Sequence, residues 1–380
     1  MRSPRLSAVA ALIAIGLAWP AAAQNFNVMP LVTDDATVHP AQITDPGLVN
    51  AWGISFAPTS PFWVSSNGAG TSTLYRVNPA TQATSKVSLT VAIPGAGNPT
   101  GQVFNGANAA GAFNGNLFLF VSEDGSVSGW RGSLGTTAET LAGASASNIY
   151  KGAAFASTAQ GSYLYAANFH TGAIDVYKGT AATPSLSGNF TDPNLPAGYA
   201  PFNVQNLGGT LYVAYAKQDA QAEDEIAGAG LGFVDRYDVS GHLLGRVAGG
   251  GTLNAPWGLA TAPASFGTWA GALLVGNFGD GRINVYDPTS FAFLGQVRGS
   301  DGQPLAIDGL WAITPGNDNG AGSSRLLYFS AGPDDETHGL FGVLVAVPEP
   351  SSWAMLLGGL VMIGAGRYRS RRRSLSCSHE

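Results

Sequence analysis

The chain has 380 residues, of which 52 are glycine and only 11% are charged, with a formal net charge of −6. Glycine weakens helices and the charged helix formers are scarce, which excludes a long helical protein. A content of 45% hydrophobic and 10% aromatic residues can bury a core, which excludes a disordered chain, and the glycines follow no collagen-like three-residue period.

The first element is an address. Arg2 and Arg5 precede an apolar run from Leu6 to Trp19, and Ala21-Ala22-Ala23 offers small residues for cleavage. Residues 1–23 therefore read as a signal peptide for Sec export. A spare strand, Phe26 to Val32, follows.

From there the body repeats. A Gly- or aromatic-containing strand recurs, each time with second and third strands behind it. The copies begin at Trp52-Gly53-Ile54, Val103-Phe104, Lys151-Gly152-Ala153, Phe202-Asn203-Val204, Trp257-Gly258-Leu259 and Leu310-Trp311-Ala312. Their spacing of about 50 residues matches a four-stranded propeller blade. Fourth strands are plain at His242 to Val247 and Phe293 to Val297, but the sixth copy lacks one. The expectation is an all-β, six-bladed β-propeller over residues 24–347, with the spare N-terminal strand completing the last blade. Closure of this kind removes exposed sheet edges. Glycines such as Gly125, Gly172 and Gly281 fall in equivalent turns between second and third strands, and others belong where strands crowd the axis.

The last element, residues 348–380, combines Pro348-Glu349-Pro350, an apolar stretch expected to be a hydrophobic helix, and an arginine cluster that includes Arg371, Arg372 and Arg373. This order resembles the PEP-CTERM sorting tail of Gram-negative bacteria. The resemblance implies transient tethering in the inner membrane, recognition by an exosortase, and delivery to the cell surface or extracellular matrix. With both addresses removed, 11 basic and 22 acidic residues remain, a net charge of −11. Such a body does not suit nucleic acid. Cys377, the only cysteine, lies in the tail.

Propeller geometry puts the lead-in to each innermost strand and the turn after each second strand at one end of the ring. The lead-ins supply Asn50, Asn98, Asn203, Asn254 and Asp308. The turns supply Asn67, Glu123, Asp124, Asn168, His170, Asn277, Asp280, Asp334, Asp335, Glu336 and His338. With Trp52, Trp257 and Trp311 nearby, the ligand-binding candidates are Asn50, Trp52, Asn203, Asn254, Trp257, Asp308, Trp311, His170, Glu336 and His338. Asp308, Asp334 and Glu336 are the candidate metal ligands, an oxygen set of the kind Ca²⁺ takes; no other cofactor is indicated. The competing explanation is that Asn and Asp simply shape turns. Glu223-Asp224-Glu225 reads as a solvated loop inserted in the fourth blade. No phosphate loop, Gly-x-Ser-x-Gly elbow or His-Glu-x-x-His motif is present in the body, so no catalytic residue is assigned.

Leu48 to Gly53, Ala200 to Gln205, Asp308 to Ala312 and Gly332 to Gly342 resemble an uncharacterised bacterial family of exported propeller-like proteins. That resemblance carries over no activity. The leading expectation is a non-catalytic module that binds a ligand, extracellular glycan or protein. The alternative is a metal-dependent hydrolase or lyase at the channel mouth.

Overall fold

The computed structural model describes residues 24–347. The expected signal peptide, the apolar C-terminal helix and the arginine cluster lie outside them. Among the described residues no helix is long and apolar enough to cross a membrane.

Six sheets form a β-propeller, antiparallel except that two short strands of the blade 6 sheet, Ile43–Thr44 and Arg298–Gly299, pair in parallel with Asn25–Thr33. Blade 1 comprises Ala51–Ser55, Phe62–Ser66, Thr71–Val77 and Thr84–Ala92. Blade 2 comprises Pro99–Phe104, Phe118–Ser122, Val127–Trp130 and Glu139–Ala142, and blade 3 has only Tyr150–Thr158, Gly161–Asn168 and Ala173–Lys178. Blade 4 holds Tyr199–Leu207, Thr210–Lys217, Phe233–Asp238 and Leu243–Gly249, and blade 5 holds Pro256–Thr261, Leu273–Asn277, Ile283–Tyr286 and Phe293–Gln296. Blade 6 contributes Leu310–Pro315, Leu327–Ala331 and Leu340–Ala346. Its fourth strand is the N-terminal Asn25–Thr33, antiparallel to Leu340–Ala346 from Phe26↔Ala346 to Thr33↔Leu340. Each innermost strand neighbours the next, and the sixth neighbours the first, so the ring closes.

The core is divided as this architecture requires. Separate apolar clusters fill the wedges between successive blades, for example Phe62, Tyr75, Tyr328 and Phe341 between blades 6 and 1 and Trp63, Phe118 and Trp130 between blades 1 and 2. A further cluster lies on the axis: Trp52, Phe169, Phe202, Trp257 and Trp311. At the axis, backbones approach so closely that a Cβ on Gly53 would lie 2.4 Å from the Thr100 carbonyl oxygen. Gly125, Gly172 and Gly281, all at positive φ, occupy turns between second and third strands.

Candidate functional site

All six innermost strands share one irregularity. The register shifts at Ala51/Ile54, Pro99/Gln102, Tyr150/Gly152, Pro201/Asn203, Pro256/Gly258 and Leu310/Ile313. A bulge re-aims the side chain it carries. The equivalent side chains at these six bulges are Trp52, Thr100, Lys151, Phe202, Trp257 and Trp311, and every one is buried. Sequence places an aromatic at four of these positions and a single cation at one.

The aromatics plug the axis. Trp52 stacks on Trp311 with centroids 3.6 Å apart, and Phe278 stacks on Trp311 at 4.0 Å. Trp257 lies edge-on to both tryptophans. Its Nε1 donates across the axis to the Lys151 carbonyl at 2.9 Å, and Trp311 Nε1 donates to Asn50 Oδ1 at 2.9 Å. Trp52 Nε1 has no partner among the described residues.

Lys151 sits on this plug, 2% exposed. Its ammonium lies 5.5 Å from the Trp52 ring centroid. It donates to Glu123 Oε1 at 2.6 Å and to Asp224 Oδ1 at 2.9 Å. Burial disfavours the ammonium, but Glu123 and Asp224 more than offset that and hold it above the ordinary lysine value. Asn67 Nδ2 fixes the other Glu123 oxygen at 2.9 Å. Glu225 is half-buried; burial pushes its carboxyl up to about 7, against the pull of Lys151, and the charges of Glu336 and Asp224 add to the rise. Burial likewise raises Glu336, again opposed by Lys151. Two carboxylates therefore contact one ammonium over an aromatic floor, and Glu225 and Glu336 lie within the reach of its charge.

The backbone is strained where it aims Glu336. Asp334, Asp335 and Glu336 have φ of 55°, 53° and 65°, three successive left-handed residues without a glycine. Each costs about 1–2 kcal/mol. Asn50, itself at φ 47°, donates from Nδ2 to Glu336 Oε2 and so links the strained loop to Trp311.

The other sequence candidates take different places. Asn203 Nδ2 donates to the Trp257 carbonyl at 2.8 Å, which joins blades 4 and 5. Asn254 Oδ1 accepts the Gly228 amide at 2.7 Å, and His170 Nδ1 meets the Ala222 carbonyl at 3.1 Å. Both pin down the blade 4 insertion. Asp308 accepts the Asp334 amide at 2.9 Å. Asp334 turns outward to His39 at 2.9 Å, and His338 pairs with Asp34 at 2.9 Å, which raises its pKa. Asp308, Asp334 and Glu336 thus have separate partners, and no group of three His, Cys, Asp or Glu side chains arranged for a metal occurs among the described residues.

Two residues need correction. Asp224 and Glu225 do not belong to a merely solvated loop. The insertion folds back through Asp219 N to the Asp224 carbonyl and Ile226 N to the Lys217 carbonyl, which delivers the Asp224 carboxylate to Lys151 and places the half-buried Glu225 within the field of its charge. Lys151 itself was missed as a site residue. The signal was available in the six-fold alignment, where Lys-Gly stands in blade 3 against Trp-Gly in blades 1 and 5.

Fold and site define a six-bladed propeller with a polar, acidic mouth over an aromatic plug, carried by a chain whose residues 346–373 match the PEP-CTERM protein-sorting motif. That motif marks export and cell-surface sorting in Gram-negative bacteria, with processing by an exosortase. Two uncharacterised proteins of Acanthamoeba polyphaga mimivirus are similar over most of the body. One is 30% identical over 79% of this chain and 75% of its own length, the other 31% identical over 79% and 81%. The chain belongs to the family that these proteins represent. An α-L-arabinanase of Penicillium chrysogenum, complexed with arabinobiose, shares the fold with a TM-score of 0.53 and 10% identity over 86% of this chain and 99% of that one.

Proposed function

We propose that the protein is an exported binding module that holds a glycan bearing hydroxyl or amino groups at its acidic mouth. Residues 1–23 direct Sec export, the tail tethers the chain transiently, and residues 24–347 work at the cell surface or in the extracellular matrix. The observation that carries the binding reading is the Lys151 cluster. Carboxylates only accept hydrogen bonds when ionised, so Glu123, Asp224, Glu225 and Glu336 suit a ligand rich in donors. Strain in the Asp334–Glu336 loop supports it, since such strain collects at binding sites. The arabinanase likeness is one of fold and adds no mechanism.

A glycan and metabolite binding screen on the full chain tests the reading, with Glu336→Gln and Glu225→Gln as variants. Binding of hydroxyl- or amino-rich glycans that weakens in both is expected. No glycan binding, or steady-state turnover of a bound sugar or lactone, would overturn a non-catalytic glycan module.

A further inference from the structure

The axis is closed at the acidic mouth but open at the other end of the ring. There the innermost strands of blades 1, 2, 3, 4 and 6 end around a cavity of about 200 Å³ whose lining includes Ser55, Phe56, Phe104, Phe155, Gln205 and Thr314. A narrower space of about 30 Å³ shares Gln205 and Thr314 with it and reaches inward to Trp257, beneath the plug. The two make a blind well.

The chemistry of the well differs from that of the acidic mouth. No ionisable side chain lines it, so a charged ligand would lose its hydration without a compensating partner. Some of its polar groups are already used. The Gln102 amide donates to the Gly53 and Trp63 carbonyls at 2.8 and 2.6 Å. Asn206 donates to the Phe155 carbonyl and accepts from the Gly209 amide, both at 2.9 Å. Ser55 Oγ is different: it has no partner among the described residues and is out of reach of water, so it meets an occupant of the well only by turning to another staggered position about its Cα–Cβ bond. A buried orphan hydroxyl is costly and calls for an occupant that satisfies it. The half-buried Phe56, Phe104 and Phe155 stand at the rim of the well, while most of its exposed lining is polar.

We propose that this well is a second ligand site, which takes one neutral, hydroxyl-bearing ring, a single sugar residue, hydrogen-bonded by Ser55 and Gln205 and seated against the phenylalanine rim. The size supports one ring: pockets for drug-sized ligands run to about 300–1,000 Å³.

Saturation-transfer NMR on the full chain tests this, with D-glucose, D-galactose, D-xylose and L-arabinose as neutral probes and glucosamine and glucuronate as charged ones. A neutral sugar should bind, and Ser55→Ala and Gln205→Leu should each weaken it about tenfold, the value of one good hydrogen bond. Ser55→Ala removes an orphan group, so its sugar-free melting temperature should stay level or rise, which separates lost binding from lost folding. No transfer from any neutral sugar, or equal binding of glucosamine or glucuronate, would overturn the proposal. So would neutral-sugar binding that survives both variants, because the sugar would then belong to the acidic mouth.

Discussion

In blade 3 the bulge that carries tryptophan in blades 1, 5 and 6 carries Lys151, and its ammonium neutralises part of a four-carboxylate field. Lys151→Met keeps most of the stem and deletes the charge, which leaves Glu123 facing Asp224, Glu225 and Glu336 uncompensated. Breaking a fully buried pair costs about 3–5 kcal/mol. Asp224 is largely exposed here and Glu123 partly so, so solvent recovers some of that, and a loss of about 2 kcal/mol in urea unfolding at neutral pH is expected. An unchanged midpoint would mean that the ammonium is not paired in solution. Glu225 gives a pH signature of definite sign. Its folded value of about 7 exceeds the ordinary 4.5, so the fold binds a proton that the unfolded chain releases. The associated stability is complete below about pH 4.5 and is lost as pH rises through about 7. Glu225→Gln should flatten the fall in unfolding free energy between about pH 5 and 7, by at most about 3 kcal/mol. Asp235, raised by burial to about 6, titrates in the same sense in both proteins and cancels in the comparison. Parallel pH profiles would refute the assignment.

At the scale of the strand, closure rests on Asn25–Thr33. This strand covers the edge of Leu340–Ala346 and plants Phe26 between blades 5 and 6, where its ring meets Phe266 with centroids 4.5 Å apart. Phe26 is fully buried, so Phe26→Ala should cost about 3–5 kcal/mol, read as a lower midpoint in thermal or urea unfolding; a loss below about 1 kcal/mol would place the closing contact elsewhere. This element was legible in the sequence because an unpaired strand before the first repeat and a missing fourth strand in the last repeat complete each other. The bulges were not. Two-residue alternation predicts an unbroken ladder, and only pairing partners reveal that Trp52, Lys151 and Trp257 all sit at register shifts. The Asp224 and Glu225 contribution was hidden for a related reason: a run of acidic residues reads as solvated unless the cation it meets, 73 residues earlier for Asp224, is known to face it. Blade 3 does without a fourth strand. The segment after it instead places Phe190 against Tyr165 and Tyr237, with ring centroids 5.5 Å apart in both pairs.

For the whole molecule, the meeting of the two ends of the described chain decides what sorting does to the fold. Gln24 Nε2 donates to the Val347 carbonyl at 2.6 Å, and the Val347 amide donates to the Asn25 carbonyl at 2.8 Å. The described chain therefore ends at Val347, at the end of the third strand of blade 6 and beside the point where the N-terminal strand begins. All the inter-blade clusters and the axial plug lie before Val347. The contacts described within the ring all lie among residues 24–347, which carry 11 basic and 22 acidic residues, a net charge of −11 that favours solubility. In a Gram-negative host that carries an exosortase, the wild-type chain should therefore appear on immunoblots as a shorter, tail-less form. Alanine at Pro348, Glu349 and Pro350 should leave it at full length in the membrane fraction. The tail-less form and the full-length variant should melt at the same temperature, since closure is complete at Val347. A tail-less form that melted markedly lower would show that the tail contributes to the ring, and a shortened alanine variant would show that the motif does not direct cleavage.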